Sequence, residues 1–193
     1  MKDSYHHGNL RSALINAGIK LINEEGEANL SLRKVASLCD VSHSAPYAHF
    51  KDKDELIEAI KESVTNSFMD ELNSAIKTSK NSEEAILNMG RSYVTFFIKN
   101  PDYFKFLFSN QNITAHLRVD KEYENDYPPF ILLKNEYLKY LKEKNIERTN
   151  DEKEIDIIKI WSTVHGLASL ACMPNVEVSF NWEEKLKSNL LLS

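Results

Sequence analysis

The sequence predicts an all-α protein of about nine helices. Apolar residues recur at steps of three and four along most of the chain, which is the spacing of one face of an α-helix. Only five Gly and five Pro interrupt the 193 residues, and no strand-like alternation competes with the helical spacing. With 42% hydrophobic residues the chain can bury a core, and its length favours one compact protein of two parts.

Residues 31–50, SLRKVASLCDVSHSAPYAHF, have the pattern of two short helices joined by a tight turn. Ser31 is a good N-cap for a first helix of about two turns. The apolar stripe expected on that helix is Leu32, Val35, Ala36 and Leu38. Residues 39–41 break the pattern, and a second helix can follow with Pro46 in its first turn and an end near His49. This spacing predicts a helix-turn-helix, whose second helix enters the major groove of DNA.

The same stretch carries a family resemblance. The capping serine, the turn, Tyr47, Phe50 and Lys53 occur together and in order, and with them residues 5–60 resemble the N-terminal DNA-binding domain of the TetR family of bacterial regulators. The family usually has glycine where Asp40 stands. Because a residue at this turn needs a positive φ, Asp40 is expected to cost some stability relative to glycine.

The resemblance implies a DNA-binding transcriptional regulator, and in particular a repressor. Such a protein would bind a palindromic operator on double-stranded DNA as a homodimer, and a small-molecule effector would release it. Residues 1–52 would form the helix-turn-helix DNA-binding domain, with three helices. Residues 53–193 would form a helical domain for effector binding and dimerisation.

The motif positions of the resembled family assign the DNA contacts. His43 and Ser44 would reach base edges, and Pro46 would touch a thymine methyl group. The residues expected to hold phosphates are Tyr47, His49 and Lys53. Arg33 and Ser42 complete the predicted DNA-binding set.

Charge is distributed unevenly along the chain, whose net charge is −5. Residues 1–53 hold seven Lys and Arg against six Asp and Glu, whereas the remaining residues hold 17 against 23. A slightly basic part on an acidic body suits a dimer that contacts few phosphates per subunit. The polar lead-in of Tyr5, His6, His7 and Arg11 is either a frayed terminus or an arm that contacts the DNA backbone or minor groove.

The second part of the chain is rich in aromatic residues. Residues 102–109, DYFKFLFS, hold four aromatic residues and are either core or part of a ligand site. The predicted effector contacts are Tyr93, Phe97, Phe104, Phe108, Trp161 and His165. Few charges occur among them, so an apolar or aromatic effector is expected, of unknown identity. His165 is alternatively a hydrogen-bonded histidine of the dimer interface.

A helix predicted over residues 151–173 is apolar on two sides, so its own domain can cover one side and a partner subunit the other. The last predicted helix, residues 180–192, would join it in a four-helix dimer contact. The spacing of Trp161, His165 and Gly166 resembles a Trp-His-Gly signature of one TetR subgroup. Residues 110–126 have no clear period and are either a lid or a mobile loop.

Other functional classes find no support in the sequence. It contains no phosphate-binding glycine loop, HExxH sequence or nucleophile elbow, so no enzyme activity, cofactor or metal site is expected. Cys39 and Cys172 have the surroundings of reduced packing thiols. The N-terminus lacks a signal peptide and no stretch is expected to cross a membrane, which predicts a cytoplasmic protein without a membrane partner.

Two alternatives stay open at the level of sequence. One is a TetR-fold DNA-binding protein without a small-molecule effector. The other is a helical ligand-binding protein that does not bind DNA. Binding to neighbouring DNA in a salt-dependent mobility shift would exclude the protein that does not bind DNA. Release of that DNA by a small molecule would exclude the DNA-binding protein without an effector.

Overall fold

The computed structural model describes residues 10–109 and 113–187. The α-helices in these ranges are α1 (Leu10–Glu25), α2 (Leu32–Leu38), α3 (Lys53–Lys77), α4 (Ser82–Lys99), α5 (Pro101–Phe104), α6 (Pro128–Lys144), α7 (Asn150–Cys172) and α8 (Trp182–Lys187). Two 3₁₀ turns, Glu27–Asn29 and Ala45–Ala48, and a π-helical turn, Lys105–Ser109, complete the regular structure of the described residues. The predicted all-α class is confirmed.

The chain forms two compact units that divide within α3. The first unit runs to Val64 and includes the segment that begins at Lys105. The second unit begins at Thr65 and resumes at Ile113 after that segment. The domain boundary predicted between residues 52 and 53 lies at the start of α3, and α3 contributes residues to both units.

The first unit packs α1, α2 and the first half of α3 around one apolar core. Leu14, Val35 and Leu56 are completely buried. α1 and α3 approach closely at Gly18, where a Cβ atom would lie 2.7 Å from the Ile60 side chain. A side chain at position 18 would therefore require the end of the Ile60 side chain to shift.

Local hydrogen bonds define the start of α2 and the turn after it. The Ser31 Oγ accepts a hydrogen bond from the Lys34 backbone N–H at 3.3 Å, which confirms the predicted N-cap. Asp40 has a φ of 53°, the left-handed conformation expected at this turn. The sequence pattern therefore identified the start of α2 and the positive-φ residue of the turn from local chemistry.

Replacing Asp40 with glycine is expected to raise the free energy of unfolding by about 0.5–1 kcal/mol, because glycine adopts positive φ without a steric cost. The gain is limited by the larger conformational entropy of glycine in the unfolded chain. Urea denaturation followed by circular dichroism measures the change. Asp40→Val, whose branched side chain disfavours positive φ, should shift the midpoint the other way, and identical midpoints for all three proteins would contradict a strained turn.

The second unit is organised around an aromatic cluster. Phe68 on α3 is fully buried, and its ring centroid lies 4.9 Å from that of Phe97 and 5.3 Å from that of Tyr93. The cluster continues from Phe97 to Phe104 at 5.3 Å and from Phe104 to His165 at 5.1 Å. Ring pairs at these distances contribute packing energy beyond the area that they bury, so this cluster joins α3, α4, α5 and α7.

The segment of residues 113–126 is bound to the second unit through Asp126. The Asp126 carboxylate accepts a hydrogen bond from the His116 backbone N–H at 2.9 Å and lies 2.6 Å from His116 Nδ1. The Lys134 ammonium on α6 lies 3.9 Å from the other Asp126 oxygen and donates to the Arg118 carbonyl at 3.2 Å. Because Asp126 and Lys134 are both buried, this segment is tied to α6 by charged groups that water does not reach.

The expectation that no stretch is long and apolar enough to cross a membrane is wrong, because α7 has both the length and the composition. α7 has 23 residues. Its most apolar 18-residue stretch has a mean hydropathy of 1.2, and 17% of that stretch is buried. Core helices of soluble proteins share this length and composition, so neither places α7 in a membrane. The low burial of α7 instead shows that its own unit covers only part of its apolar surface.

Candidate functional site

The recognition segment after the turn is the 3₁₀ turn Ala45–Ala48, which corrects the predicted α-helix. Ser44 precedes it without a side-chain cap. The backbone N–H groups of His49 and Phe50 both donate to the Pro46 carbonyl at 2.9 Å. Pro46 lies in the first turn of this segment, where a backbone N–H group would have no partner within the helix, so proline is tolerated there.

Most of the predicted DNA-binding side chains reach solvent. The exposed ones are Arg33, Ser42, His43, Ser44 and Tyr47, whereas His49 and Lys53 are half-buried. Pro46 is buried, which corrects its predicted contact with a thymine methyl group.

A contact to α2 positions His43. The Ser37 hydroxyl donates to the Arg33 carbonyl at 3.1 Å, and its oxygen lies 3.2 Å from His43 Nε2. A hydroxyl that donates its hydrogen within a helix offers its oxygen to an imidazole N–H. The His43 ring is thereby held by α2 while its side chain stays exposed.

Leu38 is a residue of this surface that pattern reasoning assigned to the core. It is 51% exposed, because at 100° per residue it lies roughly 110° from the centre of the stripe formed by Leu32, Val35 and Ala36. Its angular position on the helix is the signal that would have found it. Leu38 therefore adds an apolar side chain to the exposed surface around the turn.

The predicted N-terminal lead-in is described only at Arg11. Tyr5, His6 and His7 lie outside the described residues. The Arg11 guanidinium belongs to α1 and lies 5.5 Å from the centroid of the Phe50 ring. This is the distance of a cation–π contact, so Arg11 packs on the first unit.

A small apolar cavity lies in the second unit among α3, α4, α6 and α7. Its volume is about 40 Å³, and it is partly open to solvent. Aromatic and apolar side chains that line it include Met89, Tyr93, Tyr127, Phe130, Leu133 and Trp161. No charged side chain belongs to the described lining.

The structure brings only some of the predicted effector contacts to this cavity. Tyr93 and Trp161 line it, whereas Phe97 is buried in the aromatic cluster. Phe104 lies in the second unit but Phe108 lies in the first, so the aromatic segment of residues 102–109 is divided between the units. Tyr127 and Phe130 also line the cavity, but the sequence did not predict this. Helical spacing alone does not show which segments pack against α4 and α7.

His165 contacts the interior of its own unit. Its Nδ1 lies 3.0 Å from the Tyr93 hydroxyl, and its ring lies beside those of Phe104 and Trp161. Burial lowers the pKa of His165 and raises the pKa of Tyr93 above its usual range. Both groups are therefore held neutral, and the pair forms a polar contact within an apolar surrounding.

Cys172 has the properties of a packing thiol. Its Sγ donates to the Phe97 carbonyl at 3.3 Å, and burial raises the pKa of the thiol to about 11. Burial also raises the pKa of Cys39. Neither environment favours the thiolate that nucleophilic or redox chemistry requires.

Comparison with known proteins decides what the first unit is. Residues 14–60 match the family model of bacterial regulatory proteins of the tetR family, a range that contains the whole helix-turn-helix. The chain carries a TetR-family DNA-binding domain. A DNA-binding regulator is the function class that this domain supports. No curated protein sequence matches the chain.

Solved structures share the TetR fold over almost the whole chain. A protein of unknown function from Rhodococcus sp. RHA1 is 22% identical, with a TM-score of 0.71 over 97% of this chain and 94% of that one. A TetR family regulator from Marinobacter aquaeolei VT8 is 14% identical, with a TM-score of 0.71 over 93% of each chain. The TetR family regulator PfmR from Thermus thermophilus is 17% identical, with a TM-score of 0.63 over 91% of this chain and 93% of that one. At these identities the likeness concerns the fold.

Exposed large apolar side chains of this protein concentrate at two places in the described residues. The first place is around the recognition turn, with Leu38 and Tyr47. The second place lies on and directly after α7, with Ile155, Ile158, Leu170, Met173, Val176 and Val178. Exposed apolar patches of this kind mark interaction surfaces, so each unit presents one candidate surface.

Proposed function

We propose that this protein is a repressor that binds a palindromic operator as a homodimer and is released by a small-molecule effector. The observation that carries the proposal is the exposed recognition turn in a domain that matches the TetR family. His43 and Ser44 read base edges, and Tyr47, His49 and Lys53 hold phosphates, in the roles that the family resemblance implies. The protein acts in the cytoplasm, where its DNA target is.

The α7 stripe supports the homodimer. The exposed positions Ile155, Ile158, Ser162, Gly166 and Leu170 follow one another at helical steps of three or four, and we call them the α7 stripe. A Cβ atom at Gly166 would meet no atom within 4 Å, so the fold of its own unit does not require glycine there. Small residues at the centre of an apolar helix face allow a second helix to approach closely, and the same stripe on a second copy is self-complementary about a two-fold axis.

The buried side of α7 supports the same assignment. Ile157, Val164 and Ala168 face the interior of the second unit, where α7 packs chiefly against α4. The opposite side carries the α7 stripe and stays uncovered. A helix that is apolar on both sides needs a second cover, and in a homodimer the partner subunit supplies it.

The effector site is the cavity of the second unit. Tyr93 and Trp161 belong to its lining, and the His165 contact to Tyr93 lies directly beside it. An effector bound there would favour one conformation of the protein by its difference in affinity for the two conformations. The dimer releases DNA when, in the favoured conformation, the separation of its two DNA-binding domains no longer matches the spacing of successive major grooves.

The small volume of this cavity favours a second candidate function. A volume of about 40 Å³ is far below the roughly 300–1,000 Å³ of pockets that enclose drug-sized ligands. A TetR-fold DNA-binding protein without an effector would have such an interior. Footprinting on adjacent intergenic DNA, repeated with candidate small molecules, distinguishes the two functions, because only the first predicts loss of the footprint.

Lys53→Ala and His43→Ala are expected to have different effects on DNA binding. Lys53→Ala should weaken binding to all duplexes by about tenfold and reduce the salt dependence, because it removes a phosphate contact. His43→Ala should change the preferred sequence at one position of each half-site, at about 1–3 kcal/mol. Selection from a randomised duplex pool, followed by binding measurements at several salt concentrations, tests both.

Lys77→Ala is the matched control, because it removes the same charge from the opposite end of α3. It should leave affinity and sequence preference unchanged. An equal loss of sequence preference in the Lys53 and His43 variants would contradict the assignment of phosphate and base contacts.

A further inference from the structure

Two linked hydrogen bonds join the exposed His43 ring to α2. The Ser37 Oγ lies 3.1 Å from the Arg33 carbonyl oxygen, four residues earlier on the helix, and 3.2 Å from His43 Nε2. A serine has one hydroxyl hydrogen, and a carbonyl oxygen can only accept. Both contacts are therefore hydrogen bonds only when the hydroxyl donates to the carbonyl and the imidazole donates its Nε2–H to the serine oxygen.

The direction of these hydrogen bonds sets the tautomer of the neutral His43 ring. A neutral imidazole carries one N–H, so a hydrogen on Nε2 leaves Nδ1 as an acceptor. If the Ser37 hydroxyl donated to Nε2 instead, its oxygen would face the Arg33 carbonyl oxygen at 3.1 Å with no hydrogen between them. Two acceptors repel each other at that distance. The hydrogen bond at Nε2 therefore selects the ring in which Nδ1 is the acceptor.

The Nδ1 atom of His43 is free to bind a group from outside the chain. The His43 side chain is exposed, and its Nδ1 makes no hydrogen bond to any residue that the structure describes. The neighbouring hydroxyl oxygens of Ser42 and Ser44 lie 3.0 Å apart and are hydrogen-bonded to each other. The ring thus presents an acceptor at the surface of the recognition turn.

The major groove of DNA gives this acceptor a base preference. On the strand that the protein faces, adenine and cytosine present an amino group, at N6 and N4 respectively. Guanine and thymine present an oxygen acceptor at the same place. A protein acceptor bonds to the first two bases and is repelled by the other two. A ring with its hydrogen on Nδ1 would have the opposite preference, so the position of one hydrogen decides which bases are read.

We propose that Ser37 is a positioning residue for DNA recognition, which holds His43 as a hydrogen-bond acceptor for the amino group of adenine or cytosine in each half-site. This inference rests on the proposed operator binding and adds the chemical group that His43 reads. Ser37 acts through the orientation and the tautomer of the imidazole. It was not among the DNA-binding residues predicted from the sequence.

The test uses the duplex that the purified full-length protein selects from a randomised pool, at about pH 8.5, where free imidazole is neutral. The base pair that His43 reads is the one at which His43→Ala no longer discriminates. At that pair, the adenine or cytosine is replaced by an analogue that lacks only the amino group. The wild type should lose about fivefold to tenfold more affinity than His43→Ala, which is the worth of one hydrogen bond.

Variants of Ser37 test its positioning role. Ser37→Ala should reduce the sensitivity to the amino group to about twofold or less, because the ring is then free to rotate and to exchange tautomers. Ser37→Thr keeps a hydroxyl that can donate to the carbonyl four residues earlier, and it should restore the full sensitivity. Ser74→Ala is the matched control, since it removes an exposed serine hydroxyl from α3 in the second unit, and it should bind like the wild type.

A second measurement needs no DNA. Proton–nitrogen NMR spectra of the histidine rings at the same pH should show the hydrogen of His43 on Nε2 in the wild type and both tautomers in Ser37→Ala. A wild-type ring with its hydrogen on Nδ1 overturns the proposal. Unchanged sensitivity to the amino group in Ser37→Ala also overturns it.

The DNA measurements separate this proposal from the function on which it rests. A wild type that binds its selected duplex equally well without the amino group rejects the role of Ser37 and His43 alone. Loss of affinity on removal of the purine N7 acceptor instead of the amino group has the same meaning, because it identifies His43 as a donor. A wild type that selects no duplex rejects the proposed repressor function together with this inference.

Discussion

Replacing Leu170 with glutamate is expected to convert the protein from a dimer to a monomer and to lower operator affinity by about 100-fold or more. Leu170 is 47% exposed and lies at one end of the α7 stripe. In the proposed dimer this position is covered by the partner, so a carboxylate there would be buried without a counter-charge. A monomer binds only one half-site of the operator. The contacts that the second subunit makes are lost, and affinity falls for that reason.

Sedimentation velocity measures the dimer and a mobility-shift titration measures the affinity. Asn135→Glu is the matched control, because it adds the same charge at an exposed position on α6 outside the α7 stripe. It should remain dimeric and bind DNA normally. A Leu170→Glu protein that stays dimeric would contradict the interface, and a monomeric wild type that floats with lipid vesicles would assign the apolar surface of α7 to a membrane.

Replacing Asp126 with alanine is expected to lower the free energy of unfolding by about 3–5 kcal/mol. The variant removes both the hydrogen bonds to His116 and the negative charge opposite Lys134. Lys134 is 6% exposed, so its ammonium would stay buried with the Arg118 carbonyl as its remaining described partner. Removing one partner of a buried ion pair leaves the other charge unpaired. This costs more free energy than the intact pair contributes to stability.

Guanidinium denaturation measures the loss, and two further variants locate its cause. The double variant Asp126→Ala with Lys134→Met removes both charges and should recover part of the stability, because methionine fills the same space without an unpaired charge. Asp120→Ala breaks the exposed ion pair with Arg118 and should change stability little. No recovery in the double variant would show that packing, and not the unpaired ammonium, causes the loss.

The parts of the fold that the sequence predicted correctly depend on short-range chemistry. Ser31 caps α2 because its hydroxyl reaches a backbone N–H three residues away. Asp40 takes a positive φ because the turn after α2 demands it. Each of these interactions lies within a few residues along the chain, so residue type and spacing are sufficient to predict it.

The errors of sequence reasoning concern which side of an element is covered. Leu38 shares the apolar character of its neighbours but points away from them, and Pro46 lies among exposed residues but is buried. The aromatic run of residues 102–109 has the pattern of one cluster, yet Phe106 and Phe104 belong to different units. Apolarity along the chain does not show which helix will pack against a residue, because that neighbour comes from a distant segment.

The sequence by itself determined that this protein is all-α and that its N-terminal part has the helix-turn-helix of the TetR family, since both follow from local periodicity, caps and turn residues. Only the tertiary structure decided that Asp126 and Lys134 form a buried pair and that one side of α7 is left uncovered. These features arise when segments far apart in sequence exclude water from one another. Burial, and with it the strength of a charge or the cost of an orphan hydroxyl, is a property of that packing and not of the residue.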